Sequence, residues 1–233
     1  MTYNIYISPS NQSANLYATG GTNEQVECDK IAKATATHLK RCGFNVKVGK
    51  SSTSMESRCR ESDSFKADLH IAEHTNATSK HNVTGGTLVM VYKNDSEHNK
   101  AGQYILDAVG KISPGNDYAL QYRQDLYELR VPKALSVYLE VEFHDTKTGS
   151  DWIRKNIDKI GEETAKGVCK YFGVKYIQPK ADTTAKPTTT TKEKVVYRVV
   201  AGSFSGEDGA KIRVKELEKA GFKGAWVDKV KTS

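Results

Sequence analysis

Apolar positions along the chain come in short alternating bursts separated by longer stretches of helical spacing. Residues 4–8 are β-branched and aromatic and stop at Pro9, which predicts a first strand. Thr22-Asn23-Glu24 supplies helix-start chemistry. After it Val26, Ile31, Ala32, Ala34, Thr35, His38 and Leu39 recur at helical spacing, and Gly43 closes the helix. Residues 44–48 alternate and predict a second strand. Together these form one βαβ unit, whose crossover implies parallel strands.

The same reading continues downstream. Residues 54–66 predict a helix with Ser54 as its N-cap. Residues 68–72 predict a third strand that runs out into a polar loop carrying His74 and Asn76. A Gly85-Gly86 turn leads into a fourth strand at 87–92, then a helix at 96–109. A short strand is expected at 126–130, a last strand at 134–143, and a long closing helix at 151–172 that ends at Gly173. This order predicts an α/β fold, a mostly parallel twisted sheet flanked by helices. Residues 178–194 then lose all apolar period and carry Pro179, Pro187 and four consecutive threonines, the composition of a linker. Beyond it, a strand at 195–201, a helix at 206–220 and a strand at 225–227 form a small C-terminal β-α-β module. The expected organisation is therefore a main α/β domain at 1–177, a linker at 178–194 and a module at 195–233. A core of that module's size needs support, from self-association with another copy or from docking on the first domain.

The chain of 233 residues carries a formal net charge of +7, which favours polyanionic partners. No run of lysine and arginine is interleaved with aromatics, so nucleic acid is not an expected partner. No apolar run approaches the roughly eighteen residues of a membrane span, so no integral membrane segment is expected. The N-terminal residues read as a strand rather than a secretory signal. Synthesis in the cytoplasm, followed by release, is the expectation for any activity outside it. The four cysteines form no CxxC pair and are expected to be buried free thiols.

In an open α/β sheet, ligands gather beyond the carboxyl ends of the parallel strands. This chain places Asn11, Gln12 and Asn15 there after the first strand and Glu24 at the start of the following helix. His74 and Asn76 follow the third strand, and Glu140, Glu142, His144 and Asp145 follow or end the last one. Histidines and carboxylates on converging loops match a catalytic zinc site with one open position. Each residue also has a plainer reading. Glu24 suits the helix dipole without a metal, Glu140 and Glu142 point to one side of their strand, and His144-Asp145 is a common turn pair. His38, His81 and His98 are expected on helix or loop surfaces. His70, on the same face as His74, is expected in the core or behind a ligand.

Taken together, these motifs resemble the type 3 family of zinc-dependent N-acetylmuramoyl-L-alanine amidases, which cut peptidoglycan. The resemblance runs from residue 3 to about 173. It rests on Ile5-Tyr6-Ile7-Ser8-Pro9, on Thr22-Asn23-Glu24, on Arg58, and on Ala67-Asp68-Leu69-His70-Ile71-Ala72-Glu73-His74-Thr75-Asn76-Ala77. Gly85-Gly86-Thr87 and Val137-Tyr138-Leu139-Glu140-Val141-Glu142-Phe143 complete it. It implies Glu24 and His74 as ligands of a Zn2+ cofactor and Glu140 as the catalytic acid/base. The family's first histidine ligand is missing: Ser10-Asn11-Gln12 stands in its place. Asn11, water and His144 are the candidates for the third ligand, and His144 is the expected one. A protein that binds the wall without cutting it is the alternative function. The C-terminal piece resembles half of a SPOR domain, through residues 197–204, Ala210, Leu217 and Ala220-Gly221-Phe222, which implies a second contact with peptidoglycan. An endolysin or autolysin released onto the cell wall is the implied role.

Overall fold

The computed structural model describes residues 2–78, 85–179, 204, 206–222 and 227. It divides into two units, residues 1–180 and 181–233. The first unit contains β1 (Asn4–Pro9), α1 (Glu24–Arg41), β2 (Asn45–Val48), α2 (Met55–Ser64), β3 (Leu69–Asn76) and β4 (Leu88–Val91). These are followed by α3 (Ser96–Val109), β5 (Ala119–Tyr122), α4 (Tyr127–Arg130), β6 (Leu135–Phe143), α5 (Lys147–Lys155) and α6 (Ile157–Phe172). The six strands form one sheet in the order β2-β1-β3-β6-β4-β5. β2, β1, β3 and β6 run parallel, β4 is antiparallel to β6, and β5 is parallel to β4.

The centre of the sheet is covered on both faces, so β3 is buried from Leu69 to Thr75, its polar residues His70, Glu73, His74 and Thr75 included. On one face Ile5, Ile7, Ile71, Val137 and Leu139 pack with Ile31 and Leu39 of α1, Ile105 of α3, and Ile160 and Val168 of α6. On the other, Ala72, Met90, Leu129 and Tyr138 form a smaller cluster, and α4 packs on β6. His38, expected at the surface, is buried: its ring bonds the Tyr176 hydroxyl at 2.8 Å and the Asp158 carboxylate at 3.1 Å. The residues after α6 fold back over α1 and cover it. All four cysteines are free and buried, as the composition implied.

Several boundaries depart from the sequence pattern. β3 does not end at residue 72; pairing with β6 carries it to Asn76, with a register shift between His74 and Asn76. His74 therefore lies within a strand. Residues 126–130 are not a strand: the amides of Leu129 and Arg130 both reach back to the Leu126 carbonyl at 3.2 Å and close a helical turn. Five alternating residues cannot separate the two states by period, and burial of Glu128 and Leu129 selects the turn. β5, a half-exposed edge strand of four residues, carries too short a pattern to be read. The closing helix starts at Lys147, capped by Thr146, and breaks at Asn156, whose side chain bonds the Trp152 carbonyl at 2.8 Å. In the second unit the expected helix is present as α7 (Glu207–Lys219). The expected strand at 195–201, most of the linker at 178–194, and 225–226 lie outside the described residues.

Candidate active site

The site is built where the parallel strands β1, β3 and β6 end. Asn23 caps α1 by accepting a 3.0 Å bond from the Val26 amide, and the Glu24 amide bonds the Asn15 carbonyl at 2.9 Å. Those two contacts turn Glu24 inward, where it is fully buried. Its Oε1 lies 2.8 Å from His74 Nδ1, and its Oε2 accepts a 2.6 Å bond from Asn15. The His74 ring stacks on Tyr138 with centroids 4.3 Å apart. Burial opposes ionisation of both groups, but their mutual bonding outweighs it. The His74 ring, which also faces the Glu128 carboxylate at 3.7 Å, is pushed up to about 9, and the Glu24 carboxyl is lowered.

The residue that completes this corner is Gln12, not Asn11. Asn11 turns away and bonds the Thr53 carbonyl at 3.4 Å. The Gln12 amide lies 3.3 Å from His74 Nδ1 and 3.5 Å from Glu24 Oε1, with its oxygen accepting from Asn15 at 2.9 Å. Sequence alignment by motif misses this because the loop after Pro9 winds one residue further before meeting His74.

Glu140 sits directly across from His74 in the β3–β6 register. Its Oε2 is buried and has no hydrogen-bond partner. Burial pushes its carboxyl up to about 8, with the His74 charge opposing and the Glu24 charge adding. The residue opens on a cleft of about 140 Å³ lined also by Asn76, Met90, Gln121, Arg123 and Tyr138. A buried carboxyl whose hold on a proton is strengthened by burial, beside a carboxylate–imidazole pair, is suited to take up a proton and pass it on at a bound substrate.

A second charged group lies behind His74, and of its members only Arg58 stands out in the motifs. Glu128 of α4 is fully enclosed. Its Oε1 accepts a bond from the Ser8 hydroxyl, and its Oε2 faces Arg58 at 3.6 Å and His74 Nε2 at 3.7 Å. His70, stacked on Tyr6, faces Oε1 at 3.5 Å. Burial works against the Glu128 anion, yet His70 and His74 hold its carboxyl well below the usual carboxylate range.

The fold does not bring His144 to Glu24 and His74. Its Nδ1 lies 2.8 Å from the Thr75 carbonyl and 3.0 Å from the Thr75 hydroxyl, and its ring stacks on Tyr17. Thr75 alternates with His74 along β3, so His144 belongs to the opposite side of the sheet. Glu142 is also withdrawn from the cleft. Its carboxylate accepts from the Gly86, Phe143 and Gly115 amides and from the Ser113 hydroxyl. Asp145 accepts from the Thr78 amide at 2.8 Å.

Two places offer donors for a metal. Among the described residues, Cys59, His70 and Glu128 bring one donor atom each within 4.8 Å of one another. There the Arg58 guanidinium already supplies the positive charge, and burial pushes the Cys59 thiol up to about 12, away from the thiolate a metal needs. Glu24 and His74 offer the better donor set. A carboxylate oxygen and an imidazole nitrogen converge, and the amide of Gln12 becomes an oxygen donor on rotation about its last bond. This set suits zinc as two strong ligands and one neutral one.

A buried carboxylate beside a carboxylate–histidine pair, at the strand ends of a parallel α/β sheet, is the layout of a hydrolase. A family model described as N-acetylmuramoyl-L-alanine amidase matches residues 5–170. The chain belongs to this family, and its reaction is hydrolysis of the amide that joins N-acetylmuramic acid to L-alanine in peptidoglycan. No curated protein matches the sequence. Solved structures agree on the fold. The N-acetylmuramoyl-L-alanine amidase from Clostridium difficile 630 shares 20% identity over 74% of this chain and 97% of its own, with a TM-score of 0.66. The catalytic domain of the amidase CwlV from Bacillus (Paenibacillus) polymyxa var. colistinus shares 17% identity over 75% and 100%, with a TM-score of 0.65. The catalytic domain of the CD27L endolysin targeting Clostridia difficile shares 22% identity over 76% and 99%, with a TM-score of 0.58.

Proposed function

We propose that this amidase is zinc-dependent, with Glu24 and His74 as ligands, the Gln12 amide oxygen as a weak third, and Glu140 as the catalytic acid/base. The observation that carries the reading is the β3–β6 register, which sets the partnerless Glu140 carboxyl opposite His74. When bound, zinc would supply Lewis acidity toward the scissile carbonyl and the attacking water. Glu140 takes a proton from that water and delivers it to the departing L-alanine nitrogen. Tyr138 walls the cleft and keeps the His74 ring in place. Release of new L-alanine N-termini from purified wall tests the assignment. Glu140→Gln is expected to lower turnover by 10²-fold or more, and chelation to abolish activity until zinc is restored. Retained hydrolysis under both treatments would contradict it.

We further propose that residues 195–233 are a wall-binding module of the SPOR type joined by a threonine- and proline-rich linker. The supports are the net charge of +7, the Tyr197-Arg198-Val199-Val200-Ala201-Gly202-Ser203-Phe204 motif, and the exposed apolar residues Phe204, Ile212 and Phe222. A tethered module raises the local concentration of substrate. Its pairing with a second copy, and an endolysin or autolysin role on the cell wall, belong to the same proposal.

A further inference from the structure

The carboxylate of Glu128 is placed where a metal-ligating histidine needs its rear support. His74 presents Nδ1 to Glu24 and Gln12 and Nε2 to Glu128 Oε2, 3.7 Å away. At that separation the two are not hydrogen-bonded; both are buried and neither has any hydrogen-bond partner, so a small closing movement would let each satisfy the other. The hub is itself anchored from three elements. Arg58 of α2 bonds the Ser8 hydroxyl of β1 at 2.7 Å and the Thr53 carbonyl at 2.5 Å, and Ser8 in turn donates to Glu128. His70 closes the remaining side at 3.5 Å. Glu128 is thus held in place by contacts that do not involve the reaction, with Oε2 placed between Arg58 at 3.6 Å and His74 at 3.7 Å.

We propose that Glu128 is a positioning residue: it accepts the Nε2–H of His74, commits Nδ1 to the side of Glu24, and keeps the ring parallel to Tyr138. The proposal rests on the reading of His74 as a zinc ligand. An imidazole that donates its second N–H to a carboxylate is fixed in one tautomer and one orientation, and binds metal more tightly for it. The four-residue helix α4 has this as its function in the fold. It turns Glu128 inward beneath the strand ends, which an extended chain at 126–130 would not do.

The test measures zinc affinity by chelator competition and follows the His74 ring by ¹⁵N NMR of histidine-labelled, zinc-loaded protein. Three variants are compared with the wild type: Glu128→Gln, the double variant Arg58→Met/Glu128→Met, and His74→Ala. The double variant removes both buried charges together, so that neither is left unpaired, and thermal unfolding checks that it folds. Glu128→Gln keeps an acceptor and is expected to hold zinc within about tenfold of wild type with a protonated Nε2. The double variant is expected to bind zinc about 10- to 100-fold more weakly and to lose the hydrogen-bonded Nε2 signal. A purely structural role would lower the melting temperature and move neither. Unchanged affinity and an unchanged Nε2 signal in a folded double variant, with loss of zinc in His74→Ala, would overturn the positioning role alone. Equal zinc affinity of wild type and His74→Ala would overturn the ligand assignment and the positioning role with it.

Discussion

With Glu24 and His74 as the proposed zinc ligands, Gln12 is the residue expected to set metal affinity. A neutral amide near His74 and Glu24 is a far weaker donor than an imidazole. Gln12→His, which puts an imidazole at the same point of the loop, is expected to tighten zinc binding at least tenfold in chelator competition. Asn11→His, one residue earlier and turned toward Thr53, is expected to leave it unchanged. Buried Glu73 makes a separate prediction, on stability. It points to the α1 side of β3, with a 2.8 Å bond from Thr35 and its second oxygen partnerless. Burial raises its carboxyl from 4.5 to about 8, against the Thr35 bond and the His74 charge. The folded state therefore holds a proton that the unfolded chain has released between those values. Stability from this group is complete below pH 4.5 and falls as the pH rises through about 8. Glu73→Gln is expected to stabilise by on the order of 2 kcal/mol at pH 8, and by little at pH 4, in denaturant melts of the metal-free protein. An equal gain at both values would assign the effect to packing. Both residues show the limit of motif reading. Glu24, His74 and Glu140 were legible through their match to the family's motifs, whereas Gln12 and Glu128 depend on where a loop and a short helix turn.

At the scale of elements, β1, β2, β3, β4 and β6 follow from patterns that the sequence carries openly, whereas β5 and the order of the strands do not. β-Branched and aromatic residues mark β1, alternation marks the start of β3 and the end of β6, and the helical spacing of α1 makes the first crossover. What the pattern did not carry was set by tertiary contact: the extension of β3 to Asn76, the turn at α4, and the break at Asn156. His144 illustrates this best. Its place after β6, the neighbour of β3, makes it look available to His74. A strand that alternates its side chains puts Thr75 rather than His74 on the side where His144 lies. The loop before β4 is likewise held by Glu142, which the sequence offered as a cleft residue. Gly85, at φ +75°, brings its α-carbon so close that an added Cβ would lie 2.1 Å from Glu142 Oε1. Gly85→Ala is expected to cost about 2 kcal/mol or more, read as a lowered melting temperature, because it combines a left-handed backbone with loss of the carboxylate anchor. A variant as stable as wild type would mean that the loop is held by other contacts.

At the scale of the molecule, the chain divides into a folded unit ending near residue 180 and a second unit whose described part is one exposed helix. The buried core, the cleft and every candidate site residue lie in the first. A fragment of residues 1–180 is expected to fold and to hydrolyse a soluble muramyl peptide at a rate within a fewfold of the full chain. On insoluble wall it is expected to lose affinity, most at low ionic strength, where the basic surface matters most. Equal binding of fragment and full chain to wall, in pull-down across a salt series, would deny the second unit a wall-binding role.

The central claim, that Glu24 and His74 hold the catalytic metal with Glu140 as the acid/base beside it, is tested most directly by anomalous diffraction at the zinc edge from crystals of the zinc-loaded protein. The expected result is one peak bounded by Glu24, His74 and Gln12, absent from crystals of His74→Ala. A peak instead at Cys59, His70 and Glu128, or none in protein that is active, would contradict it.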